Sequence, residues 1–297
     1  MGRASSLLPD IKNSLEQFAA VDVAQTSHAG HASDLVADAD SNLYDGIIAA
    51  GGDGTLFEVL NGLYRKDLRQ RKPIGLVPVG TGNAFARDLG LMPGDWKKGI
   101  EIISENVPRR VDVGRVQTQS ETFYFLNVIG LGFAVDAGLS AKKFKMLGNA
   151  AYTLGALWET LKLKSYSLHI EIEGENIKQD NVFVEISNSR YTGTSFLIAP
   201  EAQIDDGLLD VTLLSSLPRR RLLRLFPTIF SGGHVQFNEV STFQARHIRI
   251  HAPGGCLLAP DGEFYGRTPA DISCLHRDLE MFLPESFNGA VRKRPYI

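Results

Sequence analysis

The sequence predicts an α/β protein of two domains, an N-terminal α/β domain with a parallel sheet and a C-terminal, mostly antiparallel β-sandwich domain. Three observations carry this. Two apolar strand-like runs, over 46–50 and 73–79, each end in a glycine-rich turn that opens a helix, the alternation of a parallel sheet covered on both faces. From about Arg109 onward the pattern becomes strand-rich. The chain has 297 residues, enough for two domains of ordinary size.

Taken in order, residues 5–20 place Leu7, Leu8, Ile11, Leu15 and Phe18 near one face at helical spacing, which predicts an amphipathic helix. A short strand over 21–25, a loop over 27–30 and a helix over 31–39 follow. After the strand at 46–50, Leu56, Val59, Leu60 and Leu63 recur at i, i+3, i+4 and i+7 of a second helix. The strand at 73–79 leads through another glycine turn into a helix starting near Asn83. Strands are expected over 110–116, 123–129, 167–172, 182–187, 208–214 and 247–251, with helices over 147–164 and 218–230 interrupting them. Pro227 should kink or end the second of these helices. The last strand is expected near 279–283, and no internal repeat is visible. The domains are placed at 1–117 and 118–284, with a tail over 285–297.

Composition narrows the function. Hydrophobic residues at 43%, charged residues at 22%, 29 Gly and 13 Pro describe a folded protein with many turns. A formal net charge of −3 argues against a general electrostatic grip on nucleic acid, which needs a basic face. Two cysteines, Cys256 and Cys274, make neither a disulfide framework nor a thiolate metal site, and they read as small core residues. No apolar run reaches the roughly 18 residues of a membrane span, and the first 20 residues lack a signal-peptide core, which predicts a cytoplasmic protein. Trp96 and Trp158 read as core or interface residues, and His28 and His31 as loop and helix-cap residues. None of the seven histidines lies in HExxH, and there is no GxSxG nucleophile elbow.

Four segments carry chemistry. Gly51-Gly52-Asp53-Gly54-Thr55 lies where an apolar strand gives way to a helix, the place where open α/β sheets bind ligands. Glycines let the backbone approach a polyphosphate, amides at the helix start supply positive potential, and Asp53 adds a carboxylate where magnesium can bridge phosphate oxygens. The segment matches neither GxxxxGK[ST] nor GxGxxG. PVGTGNAFAR at 78–87 repeats the arrangement at the end of the next strand, so two glycine turns border one crevice; Thr81 or Asn83 is a candidate helix cap. Asp261-Gly262-Glu263 follows the apolar run 256–259 and sets two carboxylates beside a glycine, and a carboxylate within reach of a hydroxyl proton can act as general base. In the run 199–210, clustered carboxylates and carbonyls in a bend can hold Mg²⁺ or Ca²⁺.

In this order these segments resemble the diacylglycerol kinase catalytic-domain family, which includes bacterial lipid kinases, sphingosine kinases and ceramide kinases. The resemblance covers nearly the whole chain. Its specific pieces are GGDGT at 51–55, PVGTGNAFAR at 78–87, IDDGLLDV at 204–211 and DGE at 261–263; 26–32, 111–114 and 127–133 support it. It implies ATP bound in a cleft between the nucleotide-binding α/β domain and the sandwich. By similarity Thr26, the loop Gly51, Gly52, Asp53, Gly54, Thr55, Leu56, Phe57 and Glu58, and Gly80, Thr81 and Asn83 would contact the nucleotide. Asp53 would help place Mg²⁺-ATP, Glu263 would accept the proton of the lipid hydroxyl, and Asp261 would assist the metal. A separate structural magnesium maps to the backbone oxygens of Gln203 and Leu208 and the side chain of Asp206.

Family members begin with an apolar strand and an Asn-Pro-x-(Ser/Ala)-Gly loop, whereas Met1-Gly2-Arg3-Ala4 falls within the expected loop, so the recorded start is expected to lie downstream of the true one. The acceptor implied is a membrane lipid, reached without a spanning helix. Two basic segments, 142–147 and 219–230, are candidates for touching the surface. The alternative readings are a non-catalytic nucleotide- or lipid-binding protein and an NAD kinase, whose family shares the GGDGT loop. PVGTGNAFAR and the late DGE fit the lipid kinases better.

Overall fold

The computed structural model describes residues 3–80, 82–141, 151–193 and 195–285. The N-terminal half runs α1 (Arg3–Leu15), α2 (His31–Asp38), β1 (Ile47–Gly51), α3 (Asp53–Leu63), β2 (Ile74–Pro78), α4 (Ala84–Asp88) and α5 (Trp96–Ser104). The strand-rich half follows with β3 (Pro108–Thr118), β4 (Thr122–Phe125), β5 (Val128–Gly132), α6 (Phe133–Ala141), α7 (Ala151–Thr160), β6 (Tyr166–Ile172), β7 (Glu175–Ser187), β8 (Tyr191–Thr192) and β9 (Phe196–Leu197). It closes with β10 (Leu209–Ser215), α8 (Arg219–Leu225), β11 (Val240–Ala245), β12 (His247–His251), β13 (Ala259–Pro260) and β14 (Ala270–Phe282).

β1 and β2 pair in parallel, as their continuous apolar character requires, and β14 adds to β2 in parallel at Met281. The remaining pairings are antiparallel: β12, β6, β7, β10 and β11 continue from β14, β3 lies between β14 and β4, and β5 lies between β7 and β13. β14 joins the two halves. Its first residues have β12 and β3 as neighbours, and at its far end β2 stands in place of β12. The changeover is a register shift between Leu275 and Leu279, with Arg277 at φ 50. Fully buried Asp112 pins this bulge, accepting from Arg277 N at 2.6 Å and pairing with His276 Nδ1 at 2.9 Å.

Three cores result. Leu56, Leu60, Leu63, Ile74 and Val77 pack with Ile11 and Leu15 of α1 and with Leu279, Met281 and Leu283. The sandwich encloses Phe125, Ile129, Leu131, Ile170, Val184, Val211 and Ile250. A third cluster lies under α6, α7 and α8, with Phe133, Phe183, Phe196, Leu222 and Phe226.

Several expectations need correction. Residues 21–25 form no strand: 22–25 are exposed, and no described strand lies beside the outer edge of β1 to pair with them. α1 stops at Leu15, leaving Phe18 44% exposed. The single strand expected over 123–129 is two, β4 and β5, broken at Leu126 and Asn127, whose amides turn aside to Asp261. The final strand begins nine residues earlier than expected, at Ala270. The helix expected over 218–230 ends at Leu225 and continues as a 3-10 turn over Phe226–Ser231, because Pro227 has no N–H to give an α-helical bond. Its apolar face, Leu222, Leu225, Phe226 and Ile229, is buried, while Arg219, Arg220 and Arg224 are exposed. Trp158 is 46% exposed rather than core, because it lies on the outer face of α7. The basic segment 142–147 and the tail beyond 285 lie outside the described residues.

Candidate active site

The two glycine turns sit backbone against backbone. Val79 N and Gly80 N both donate to Gly51 O, each at 3.1 Å. A Cβ on Gly80 would lie 2.5 Å from Gly52 Cα, so only glycine allows this approach. Asp53, the first residue of α3, reaches across: its carboxylate accepts from Ala84 N at 3.0 Å and Phe85 N at 3.4 Å, at the start of α4. Asp53 therefore caps α4, the role the sequence offered to Thr81 or Asn83. Asn83 is buried and donates instead to Gly80 O at 2.7 Å, which fixes the second turn. Thr81 lies outside the described residues.

The late carboxylates arrive from the opposite side. Asp261, at φ 47, follows β13 and accepts from Leu126 N (3.0 Å), Asn127 N (2.8 Å) and Val128 N (3.1 Å). Burial pushes its carboxyl up to about 7; the three amides oppose the shift and the nearby Asp53 adds to it. Burial raises Asp53 as well, against the pull of the Ala84 and Phe85 amides and Asn127. Two residues on, Glu263 turns toward α3, where its Oε1 lies 2.7 Å from the point a Cβ on Gly54 would occupy.

Asn127 bridges the two sides. Its side chain donates to Asp53 Oδ1 at 3.3 Å and accepts from Ser189 Oγ at 2.9 Å, while its own amide is held by Asp261. Asn188 braces the same loop through Leu126 O at 2.9 Å and Asp112 O at 3.1 Å. Sequence reasoning gave none of Asn127, Asn188 or Ser189 a role. The available signal was a polar pair, Asn188-Ser189, directly after the buried second half of β7.

The remaining expected nucleotide contacts divide. Glu58 accepts from Gly30 N (2.7 Å) and Ala32 N (3.0 Å), so it ties the exposed loop carrying Thr26 to α3 and caps α2. Leu56 and Phe57 point their side chains into the first and second cores, and Thr55 folds back over Gly51.

Among the described residues no group of three or more His, Cys, Asp or Glu side chains is arranged to hold a metal ion. The turn at 203–208 offers a different donor set. Asp206 accepts from Leu208 N at 3.0 Å, and burial with Asp112 and Asp205 nearby raises its carboxyl. Among the described residues no turn hydrogen bond ends on the carbonyls of Gln203 or Leu208. Two carbonyls and a carboxylate are a hard-oxygen set of the kind Mg²⁺ or Ca²⁺ takes.

The sequence matches the family described as "Diacylglycerol kinase catalytic domain" over residues 1–116 and "YegS C-terminal NAD kinase beta sandwich-like domain" over 127–283. A diacylglycerol kinase of Mycobacterium tuberculosis is 34% identical over 259 residues, 86% of this chain and 82% of that protein. A diacylglycerol kinase of Bacillus subtilis is 29% identical over 262 residues, 88% of this chain and 84% of its own. A crystal structure from Bacillus anthracis superposes with a TM-score of 0.78 at 25% identity, covering 95% of this chain and 93% of that one. A second, a diacylglycerol kinase of the same organism, shares the fold with a TM-score of 0.72 at 21% identity, covering 95% and 92%. With the paired glycine turns and the acidic cluster already in place, these matches assign the chain to the diacylglycerol kinase family of lipid kinases.

Proposed function

We propose that this protein transfers the γ-phosphate of Mg²⁺-ATP to a hydroxyl of a membrane lipid such as a diacylglycerol or a sphingoid base. The observation that carries the reading is the convergence of Asp53, Asp261 and Glu263, from opposite sides, on two glycine turns whose backbones touch. Phosphoryl transfer asks a protein mainly for alignment and charge stabilisation. In this reading residues 1–117 bind the nucleotide, the amides of Gly52 through Thr55 facing its phosphates, and residues 118–284 receive the lipid. Thr26, on the loop held by Glu58, lies at the nucleotide's edge. Glu263 holds the acceptor hydroxyl and takes its proton at a carboxylate oxygen. Asp261 keeps Asn127 and the Glu263 turn in place, and Asn127 orients Asp53.

Magnesium bound with the nucleotide supplies neutralisation of phosphate charge beside Asp53. A second, structural ion would be held by Gln203 O, Leu208 O and Asp206, as the family resemblance implies, where it would add to the charge that His276 and Arg277 already bring to Asp112 and Asp205. Among the described residues no helix is long and apolar enough to cross a membrane. The lipid is therefore met at the surface, at the inner face of the membrane in a cytoplasmic setting, with exposed Leu223 and Phe230 beside Arg219, Arg220 and Arg224 as the contact.

The test is transfer of labelled γ-phosphate from Mg²⁺-ATP to a panel of lipids in mixed micelles, with NAD as a parallel acceptor. A labelled lipid is expected, and Glu263→Gln should lower kcat roughly 10²- to 10⁴-fold without unfolding the protein. Label on NAD alone, or full activity in Glu263→Gln, would overturn this assignment.

A further inference from the structure

α4 has five residues, far fewer than a helix needs to hold itself together in water. Burial of Ala84, Phe85 and Ala86 keeps it against the core, and polar bonds hold both of its ends. At its start the Asp53 carboxylate accepts from Ala84 N and Phe85 N. At its end Asp88 accepts from Arg190 N at 2.7 Å and from Arg190 Nε. The Asp88 and Arg190 side chains are 6% and 18% exposed. The Tyr191 ring centroid lies 5.3 Å from the Arg190 guanidinium carbon and 5.9 Å from that of Arg87, the neighbour of Asp88 on α4.

Arg190 comes from the strand-rich half, and the residue before it is Ser189, whose Oγ donates to Asn127 Oδ1 at 2.9 Å. Asn188 N and Ser189 N both donate to Asn127 O, at 2.7 and 3.1 Å, so the segment that carries Arg190 is tied to Asn127 by its backbone as well. Asn127 Nδ2 in turn donates to Asp53 Oδ1 at 3.3 Å. The bonds close on themselves. They run from Asp53 along α4 to Asp88, across to Arg190, back through Ser189 to Asn127, and on to Asp53.

An ion pair removed from water returns little net stability, because desolvation of both charges offsets their attraction. What it supplies is geometry, since two charge-assisted bonds to one carboxylate fix direction as well as distance. That direction matters at Asp53, whose Oδ2 lies 2.9 Å from the point a Cβ on Gly82 would occupy, against the second glycine turn. From Ala84 to Asp88 the helix rises about 6 Å, so a tilt at the Arg190 end reaches the amides that hold Asp53.

We propose that Asp88 and Arg190 are positioning residues for Asp53: their ion pair closes the ring of bonds that fixes the direction of the Asp53 carboxylate for Mg²⁺-ATP. The inference rests on the kinase reading, which sets Asp53 beside the nucleotide and its magnesium. Cutting the ring at Arg190 leaves Asp53 and both glycine turns chemically intact and loosens their relative placement.

The test uses the full chain and three variants. Arg190→Met cuts the ring. Asp88→Asn with Arg190→Met cuts it without leaving a buried charge unpaired, which guards against a folding defect. Arg71→Met breaks another partly buried ion pair, with Asp278, outside the ring. Without nucleotide, hydrogen exchange at the peptide amides of 84–88 should quicken on the order of 10-fold in both Arg190 variants, a local opening, and stay as in wild type in Arg71→Met. Equilibrium binding of Mg²⁺-ATP should weaken roughly 10-fold in both, while magnesium-free ATP stays within about 2-fold of wild type. A merely structural pair would weaken the two nucleotide forms alike. Arg190→Met added to Asn127→Ala should lower kcat less than the two single losses combined, since both cut one ring. Unchanged exchange over 84–88 in the double variant, equal weakening of the two nucleotide forms, no binding of Mg²⁺-ATP by wild type, or fully additive losses of kcat would overturn the proposal. Label on NAD rather than on a lipid, with exchange and binding as expected, would count against the lipid-kinase reading alone.

Discussion

Glu263 Oε1 occupies the space that a side chain on Gly54 would enter, 2.7 Å from where its Cβ would stand. The late acidic turn and the first glycine turn are thus complementary in shape, although 209 positions separate the two residues in the chain. Gly54 is the second residue of α3, a helical position where alanine is favoured over glycine by up to about 1 kcal/mol. The atom in its way is the tip of a flexible side chain, which can swing aside. Gly54→Ala is therefore expected to leave the melting temperature unchanged or slightly higher while lowering kcat on the order of 10²-fold, the scale of a misplaced catalytic group. Thermal unfolding and phosphate transfer on one preparation check this, and a variant both stable and fully active would separate Glu263 from the reaction.

Gly80→Ala tests the other close approach and should behave in the opposite way. Its Cβ would meet Gly52 Cα at 2.5 Å and Gly52 N at 2.7 Å, both backbone atoms held by the hydrogen bonds to Gly51 O. Nothing there can rotate away. Overpacking of this kind costs roughly 1–3 kcal/mol, so the urea midpoint should fall along with activity.

Asn127 joins the two sides of the site, its side chain bonding to Asp53 and its backbone amide to Asp261. Asn127→Ala removes the acceptor of the Ser189 hydroxyl and the donor to Asp53, and an unsatisfied buried group costs about 1–3 kcal/mol. Ser189→Ala breaks only the Ser189–Asn127 bond, by removing its donor, and leaves the bond to Asp53. Comparable losses of stability in the two variants, with a clear loss of kcat confined to Asn127→Ala, are expected; equal kcat in both would show that the link to Asp53 has no bearing on catalysis.

What the sequence disclosed follows from where the physics is local. A strand that is apolar throughout, a glycine turn and a helix of period 3.6 are each written within about twenty residues, so β1–α3 and β2–α4 were legible, as was the DGE turn. The failures are non-local. Residues 21–25 have strand composition and no neighbour. The break at Leu126-Asn127 is imposed by Asp261, 134 positions from Asn127. Ala270–Phe282 reads as a long strand only once Asp112 is seen to hold the bulge at Arg277. Glu185 sits in a run that alternation would assign to an ordinary core strand, and nothing in its neighbours announces a buried carboxyl. The site residues found by motif were those beside glycines; Asn127, Asn188 and Ser189 brace the site from positions with no turn signature.

Two buried carboxyls make stability depend on pH in a stated direction. Asp261 is raised from 3.8 to about 7 and Glu185 from 4.5 to about 8. Within each window the unfolded chain has lost the proton and the folded chain keeps it, so ν_U − ν_N is negative and stability falls as pH rises. The contribution of the neutral acid is complete below the unfolded value, is lost progressively up to the folded value, and changes no further above it. His234, lowered by burial, acts the other way below its ordinary value of 6.5, losing stability as pH falls. Comparison of wild type with Glu185→Gln cancels that shared slope and the Asp261 slope, because only Glu185 differs. Urea unfolding at pH 5 and at pH 8.5 should show the Gln variant gaining on wild type as pH rises, since its amide cannot ionise. Parallel curves at the two pH values would mean that Glu185 titrates as an ordinary surface acid.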